Sequence, residues 1–481
     1  MPARASHYVG SRWHPGAGER LIVVSDPATG EPVAEFAVAT PAEVDAAVDG
    51  ARAARSAWSR CAPADRAAMV SAAAHRVRHA SDELTRLTTA EMGRPTALAR
   101  GGVDAGADTI AQYAELGPLH RGRSLQGGWD AVDLMVHEPR GVAAVITPWN
   151  DPVAVPAGLI AAALVSGNTV VFKPSERTPL TGELLARTFV EELPAGVLTV
   201  LHGDGETGAA LAGHAGVDVV CHVGSTRAGQ SIAAAAARTG AKVVLENGGN
   251  DPLLVDADVD PAWAAAQTAL GGFINSGQLC TAVERVYVHA AVAEEFLAAL
   301  VKEAEGLVVG PGSEPATTLG PLVDVRARAA VHEQVQQAQT AGATTRSGGF
   351  RPDGTGAFYP ATVLTGCTAD MAVMREETFG PVVPVMTVPS FAAGLAAAGA
   401  SAYGLAATVL TNDMRHAQDA WRQLPVGTVK VNAVFGGAPG GAAQPRGASG
   451  DGFGYGPELL DELTVTKVVH LGLAETPERA Q

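Results

Sequence analysis

Between Val142 and Glu246, short β-branched runs alternate with Ala-rich segments at a nearly constant pace. The runs are Val142–Thr147, Thr169–Phe172, Val197–Leu201, Val217–His222 and Lys242–Glu246. Between them lie Pro156–Ser166, Gly182–Glu192, Thr207–His214 and Arg227–Arg238, each of helical length. Strand and helix in this order imply a parallel sheet with crossover helices, because parallel neighbours cannot be joined by a tight turn. The strand runs are apolar throughout rather than alternating, as expected of strands covered on both faces.

The pattern resumes after about residue 250. Leu253–Val255, Val283–His289, Pro381–Thr387 and Thr428–Val431 read as strands with helices between them, so a second α/β unit is expected. The stretch up to Leu116 reads as mostly helical. Thr40 is a candidate N-cap for the segment starting at Pro41. Pro63 and Gly93 bracket an apolar-periodic run that Ser81 and Asp82 divide, and a third helix occupies Gly102 to Leu116. Gly436–Gly456 is Gly-rich and aperiodic, a long loop of the kind that often carries function. A final strand covers Thr464–His470. The fold class is therefore α/β, with two doubly wound parallel-sheet domains.

A formal charge of −16 over 481 residues disfavours nucleic acid as a partner. The longest apolar run, Val153–Val165, is too short to cross a bilayer and contains Pro156, so no membrane partner is expected. The N-terminus has no signal-peptide core. The cysteines, Cys61, Cys221, Cys280 and Cys367, lie far apart. They have neither metal-ligand spacing nor a disulfide framework, so no metal and a reducing, cytoplasmic location are expected.

Several residues could carry chemistry. Gly203-Asp-Gly-Glu-Thr-Gly208 matches a dinucleotide fingerprint or an ordinary strand-to-helix turn, and position alone fits both. Gly224-Ser225-Thr226 opens a helix whose free N–H groups suit a pyrophosphate, or simply caps it. Lys173-Pro-Ser175-Glu176 follows a strand end, where α/β sheets bind ligands. Its Lys and Glu could meet ribose hydroxyls or form a solvated pair. Cys280 follows Asn275-Ser-Gly-Gln-Leu, a polar, turn-like context that favours a nucleophile over a core thiol. Glu246 ends a strand before a glycine pair, and Asn150 follows another strand in Pro148-Trp149-Asn150.

Together these motifs resemble the aldehyde dehydrogenase superfamily. Pro148-Trp-Asn150, Gly167-Asn-Thr-Val-Val-Phe-Lys-Pro-Ser-Glu176, Gly224-Ser-Thr226, Leu245-Glu-Asn-Gly-Gly249, Gly277-Gln-Leu-Cys280 and Glu376-Glu-Thr-Phe-Gly-Pro381 occur in the family's order, over nearly the whole chain. The resemblance implies an NAD-binding domain (1–116 and 137–248), a catalytic domain (249–440) and a β-extension for oligomerisation (117–136 and 460–475). It implies a small aldehyde as substrate and a homodimer or homotetramer. Cys280 would be the nucleophile, Glu246 the general base and Asn150 an oxyanion donor. NAD would lie near Trp149, Lys173, Ser175, Glu176, Gly224, Ser225, Glu377 and Phe379, with the Gly203 turn outside its path. Glu176 favours NAD without barring NADP.

Three departures from the family pattern stand out. Asp151 replaces an aromatic residue of the substrate funnel, which suggests a polar or cationic aldehyde unless Asp151 faces solvent or caps a helix. Asn247 replaces a commoner Leu beside Glu246, and the 436–456 loop lacks the family's compact pattern. Two other classes are compatible with the same residues: a cofactor-independent thioesterase, and a catalytically idle oligomeric binding protein.

Overall fold

A computed structural model describes residues 2–436 and 441–474. Its central feature is an eight-stranded sheet. Five parallel strands, Val142–Ile146, Thr169–Lys173, Leu198–Val200, Val219–Val223 and Lys242–Glu246, stand in spatial order 5-4-1-2-3 when numbered along the chain. Strand order reverses between Val142–Ile146 and Val219–Val223, which makes that crevice the topological switch point.

The period of two along each strand divides the core. Ala143, Val145, Val170, Phe172, Val219, Cys221 and Val244 face one side. There they meet the helices Pro63–His79, Thr96–Leu116, Ala154–Val165 and Pro179–Val190. Val142, Ala144, Ile146, Val171, Val220 and Leu245 face the other, against Pro41–Arg60, Gly205–Ala212 and Thr226–Ala236. Burial on both faces accounts for the unbroken apolar runs.

The second sheet has seven strands, in the order Thr344–Ser347, Thr362–Thr365, Val382–Val388, Val283–His289, Asp251–Val255, Ala406–Leu410, Thr428–Val431. All neighbours are parallel except the first pair. Two apolar layers cover it as they cover the first. A three-stranded antiparallel ribbon, Arg123–Leu125, Ala131–Pro139 and Thr464–Gly472, stands apart from both sheets.

The reading of the first 116 residues as mostly helical needs correction. Residues 3–37 carry five short strands, and His7–Val9 and Arg12–His14 extend the first sheet. Two to six residues are too short to establish a period, so their pairing is set by tertiary contact. The helices beyond follow the sequence reading. Thr40 caps Pro41–Arg60 in a reciprocal box with Glu43, and the chain breaks at Ala80 between Pro63–His79 and Ser81–Met92. The last of the four begins at Thr96 rather than Gly102. Ala406–Leu410, Thr362–Thr365 and Thr344–Ser347 are strands that the sequence reading passed over. In the Gly436–Gly456 segment, residues 437–440 lie outside the described residues. Beyond them, Arg446–Gly447 pairs with Tyr403–Gly404, and Gly450–Asp451 joins the edge of the first sheet. That part of the loop is therefore held by backbone pairing. Among the described residues no helix is long and apolar enough to cross a membrane.

Glu91 ties two helices together. Its carboxylate, 1% exposed, accepts from the Leu180 and Thr181 backbone N–H groups and from the Thr181 hydroxyl. It thus caps Pro179–Val190 from another helix, in place of a local cap. Replacing Glu91 with Ala strands those donors in the interior, at a cost of about 1–3 kcal/mol. The expected readout is a lower thermal midpoint with the secondary structure retained. An unchanged midpoint would mean that the cap contributes nothing.

Candidate active site

The two sheets are joined by residues 247–250, a buried link between Lys242–Glu246 and Asp251–Val255. Gly248 and Gly249 have no room for a side chain. A Cβ on Gly248 would collide with the Glu377 carboxylate, and one on Gly249 would lie 2.5 Å from the Cys280 carbonyl oxygen. The Gly249 N–H donates to Glu377 Oε1 at 3.1 Å. The glycine pair is therefore the surface on which Glu377 and the Cys280 backbone both rest.

Cys280 follows a strained turn. Asn275 and Ser276 are non-glycine residues with φ of 50° and 57°, and Gly277 continues at 70°. Such backbone persists only where the surroundings hold it. Here Ser276 Oγ donates to Gly320 O at 2.7 Å. The Gln278 amide donates to Asn275 O and accepts from the Val323 N–H. The Gln278 carbonyl in turn accepts from Asn150 Nδ2 at 3.1 Å and Asn275 Nδ2 at 3.2 Å. Asn150 is thereby locked two residues from Cys280, with its second amide hydrogen unassigned. The thiol is half-buried. Burial, then the charges of Glu246, Asp251 and Glu377, push its pKa up to about 12.

Glu246 ends its strand between Val223 and Gly450. The Gly454 backbone presses on its carboxylate so closely that any side chain at 454 would collide with it. Burial alone pushes the Glu246 pKa up to about 7. Asn247 does not reach this carboxylate, since its amide donates to Ala448 O at 3.1 Å.

The remaining sequence candidates divide in two. Trp149 and Phe379 meet edge to face with centroids 5.6 Å apart, and the Arg177 guanidinium lies 5.3 Å from the Trp149 ring. Glu377, its pKa pushed up to about 8 by burial and then by Glu284, precedes Phe379 by two residues. Across the switch point, Gly224 donates to Glu246 O, and Ser225 caps Thr226–Ala236 by accepting from the Ala228 N–H. Lys173 is buried and donates to Pro174 O and Gly203 O. Burial lowers its pKa. Ser175 Oγ accepts from the Arg177 N–H, and Glu176 is 40% exposed, 4.0 Å from Lys173 Nζ. In the Gly203 turn, Asp204 caps the next helix and pairs with Arg20 at 2.6 Å.

Asp151 is engaged on two sides. It pairs with Arg94 at 3.0 Å and accepts from the Ala154 N–H at 3.3 Å, in the first turn of the next helix. Its charge is thus matched, which weakens the argument for a cationic substrate.

Sequence reasoning missed four residues here. Glu284 accepts the Thr378 and Phe379 N–H groups, holding the Glu377 loop with Phe379 at φ 49°. Arg285, also buried, donates to Asn250 O at 2.8 Å. A Glu-Arg pair inside the apolar run Val283–His289 was the available signal, because buried charges need partners. Lys430 and Tyr455 both lie close enough to feel the Cys280 charge. They come from distant parts of the chain and carry no local signal.

Residues 13–469 match the model of the aldehyde dehydrogenase family. The chain is 38% identical over 443 residues to an alpha-ketoglutarate semialdehyde dehydrogenase of Haloferax volcanii, covering 90% of this chain and 91% of that protein. A solved lactaldehyde dehydrogenase superposes with a TM-score of 0.96 at 32% identity, covering 98% of this chain and 100% of the other. Betaine aldehyde dehydrogenase of Staphylococcus aureus, solved in complex with NAD+, superposes with a TM-score of 0.94 at 30% identity, covering 97% and 94%. The chain belongs to the aldehyde dehydrogenase family.

Proposed function

We propose that the protein oxidises an aldehyde to the free carboxylic acid with NAD, using Cys280 as nucleophile and Glu246 as general base. The observation carrying this reading is the convergence of Cys280, Glu246, Glu377 and the locked Asn150 amide on one glycine link between the sheets.

The residues at the switch point fit a dinucleotide. Thr226–Ala236 offers its N-terminus there, and the buried Thr226 hydroxyl has no partner among the described residues. Gly224 and Ser225 would hold the pyrophosphate. Lys173, Ser175 and Glu176 would hold the adenosine ribose, with the Glu176 carboxylate repelling a 2′-phosphate and so favouring NAD over NADP. Glu377 would hold the nicotinamide ribose, beside Trp149 and Phe379.

With a pKa near 12 the resting thiol is protonated, so its proton must move to a base as sulfur attacks the carbonyl carbon. Glu246, near 7, can receive it. The oxyanion forms within reach of the free Asn150 amide hydrogen and the Cys280 N–H. A bound nicotinamide would supply the hydride acceptor, and loss of hydride from the adduct would leave a thioester on Cys280. Once Glu246 has released that first proton to solvent, it takes a proton from the water that attacks this thioester; the acid departs and the Cys280 sulfur is reprotonated.

The substrate we favour is polar but not cationic. The Arg94–Asp151 pair supplies hydrogen-bonding groups at a place where net charge is cancelled. The relatives named for semialdehyde and lactaldehyde chemistry fit that reading, and those named for betaine aldehyde, a cation, do not. The cysteines, free as thiols, suit a reducing cytoplasm.

For assembly, the reading is a homodimer or homotetramer formed through the ribbon. Thr464–Gly472 is an edge strand paired on one side only, with Val465, Val468 and Leu471 exposed. An open apolar edge is a template for another strand.

Three outcomes are expected. Over a panel of polar and aliphatic aldehydes, NADH formation should vanish in Cys280→Ala, and persisting turnover would remove the nucleophile from the scheme. For the wild type, turnover should rise as pH climbs through about 7 and then level off, because Glu246 is active only when ionised. Glu246→Gln should lose that rising limb and about 10²–10⁴-fold in rate. A wild-type profile flat across this range would exclude Glu246 as the base. Sedimentation velocity should show Val468→Asp shifted toward monomer, and an unaltered assembly would place the contact elsewhere.

A further inference from the structure

Away from the catalytic link, three side chains with metal-ligating chemistry converge at the root of the ribbon. His120 follows the turn Gly117–Leu119, His137 stands near the end of Ala131–Pro139, and Asp461 lies on the helix Glu458–Glu462. One ligating atom from each lies within 4.8 Å of the others. His120 Nε2 is 2.8 Å from Asp461 Oδ1, and the two imidazoles lie with centroids 4.2 Å apart and planes inclined by 35°.

An ordinary His–Asp ion pair accounts for only two of these groups. Among the described residues the His137 ring makes no hydrogen bond, although it lies against His120. With bonds of about 2.0–2.1 Å, ligands around a tetrahedral ion stand roughly 3.4 Å apart. Small side-chain rotations would therefore close the triangle. Both histidines are half-buried while Asp461 is 65% exposed, which leaves a fourth position to water.

We infer that His120, His137 and Asp461 form a binding site for one divalent transition-metal ion of the zinc type. Two imidazoles and one carboxylate suit such an ion better than magnesium or calcium, which prefer oxygen throughout. The ion would join segments up to 341 residues apart. It would clamp the ribbon to the helix Glu458–Glu462, which follows directly on the segment that presses Gly454 against Glu246. This site supplies no catalytic group, so the ion acts as a cross-link, stabilising the folded chain by mass action.

The test uses the untagged, chelator-treated full chain titrated with Co2+, read by the visible bands of four-coordinate cobalt, with the thermal midpoint followed in parallel under Zn2+. The expected result is one equivalent per chain and a raised midpoint that chelator reverses. His137→Gln and Asp461→Asn should each weaken binding by more than about tenfold while metal-free NADH formation is retained. If His137→Gln fails to fold, Asp461→Asn, at an exposed helix position, gives the same reading. Absence of cobalt bands up to millimolar metal overturns the site. So does binding that keeps full strength in both variants, and so does binding that disappears in Cys280→Ser, which would place the ion on the catalytic thiol.

Discussion

The structure depends on a close approach that only glycine permits. Gly248 and Gly249 carry the chain from one sheet to the other, with the Glu377 carboxylate against one and the Cys280 carbonyl against the other. An added methyl group at Gly249 would push against the Cys280 backbone, and one at Gly248 would displace the Glu377 carboxylate. Because the link follows directly on Glu246, the same four residues set Glu246, the Cys280 backbone and Glu377 relative to one another. The two sheets contribute different parts of the chemistry, and this link is where those parts come into register.

Several of the polar groups buried around the link are held by specific partners. Glu284, its pKa pushed up to about 7 by burial, accepts three N–H groups, and Arg285 donates to the Asn250 carbonyl. The Glu284 bonds hold Phe379 after Glu377, and those of Ser276 and Gln278 hold the left-handed run Asn275–Ser276–Gly277 before the thiol, backbone that would not persist alone. Strained backbone held in place by neighbouring side chains is the pattern expected of a preorganised site.

Much of the fold was legible because burial on both faces writes long apolar runs into the chain. Lys242–Glu246, Val283–His289 and Thr428–Val431 have the same limits in the sequence reading and in the structure. The losses have one cause. Strands such as His7–Val9 and Ala406–Leu410 are short or lie in Ala-rich surroundings, and neighbours rather than local pattern make them strands. The Gly436–Gly456 loop looked free because glycine hides pairing, yet its described part is stitched to Tyr403–Gly404 and to Glu246. In the site, motif residues were visible one by one. Glu284 and Arg285 were not, since their part is to hold other groups.

By itself the sequence determined the alternation of strand and helix, the glycine link, and the residue types able to perform thiol addition and base-assisted hydrolysis. These are local properties: period, propensity and chemical identity travel with the chain. Tertiary structure decided which of those groups meet and in what state. It cancelled the Asp151 charge with Arg94, turned Asn247 away from Glu246, and raised Glu246 into the range of a neutral-pH base by burial. It also brought His120, His137 and Asp461 together across 341 residues. Each of these depends on distance and on exclusion of water, and neither quantity exists until the chain has folded.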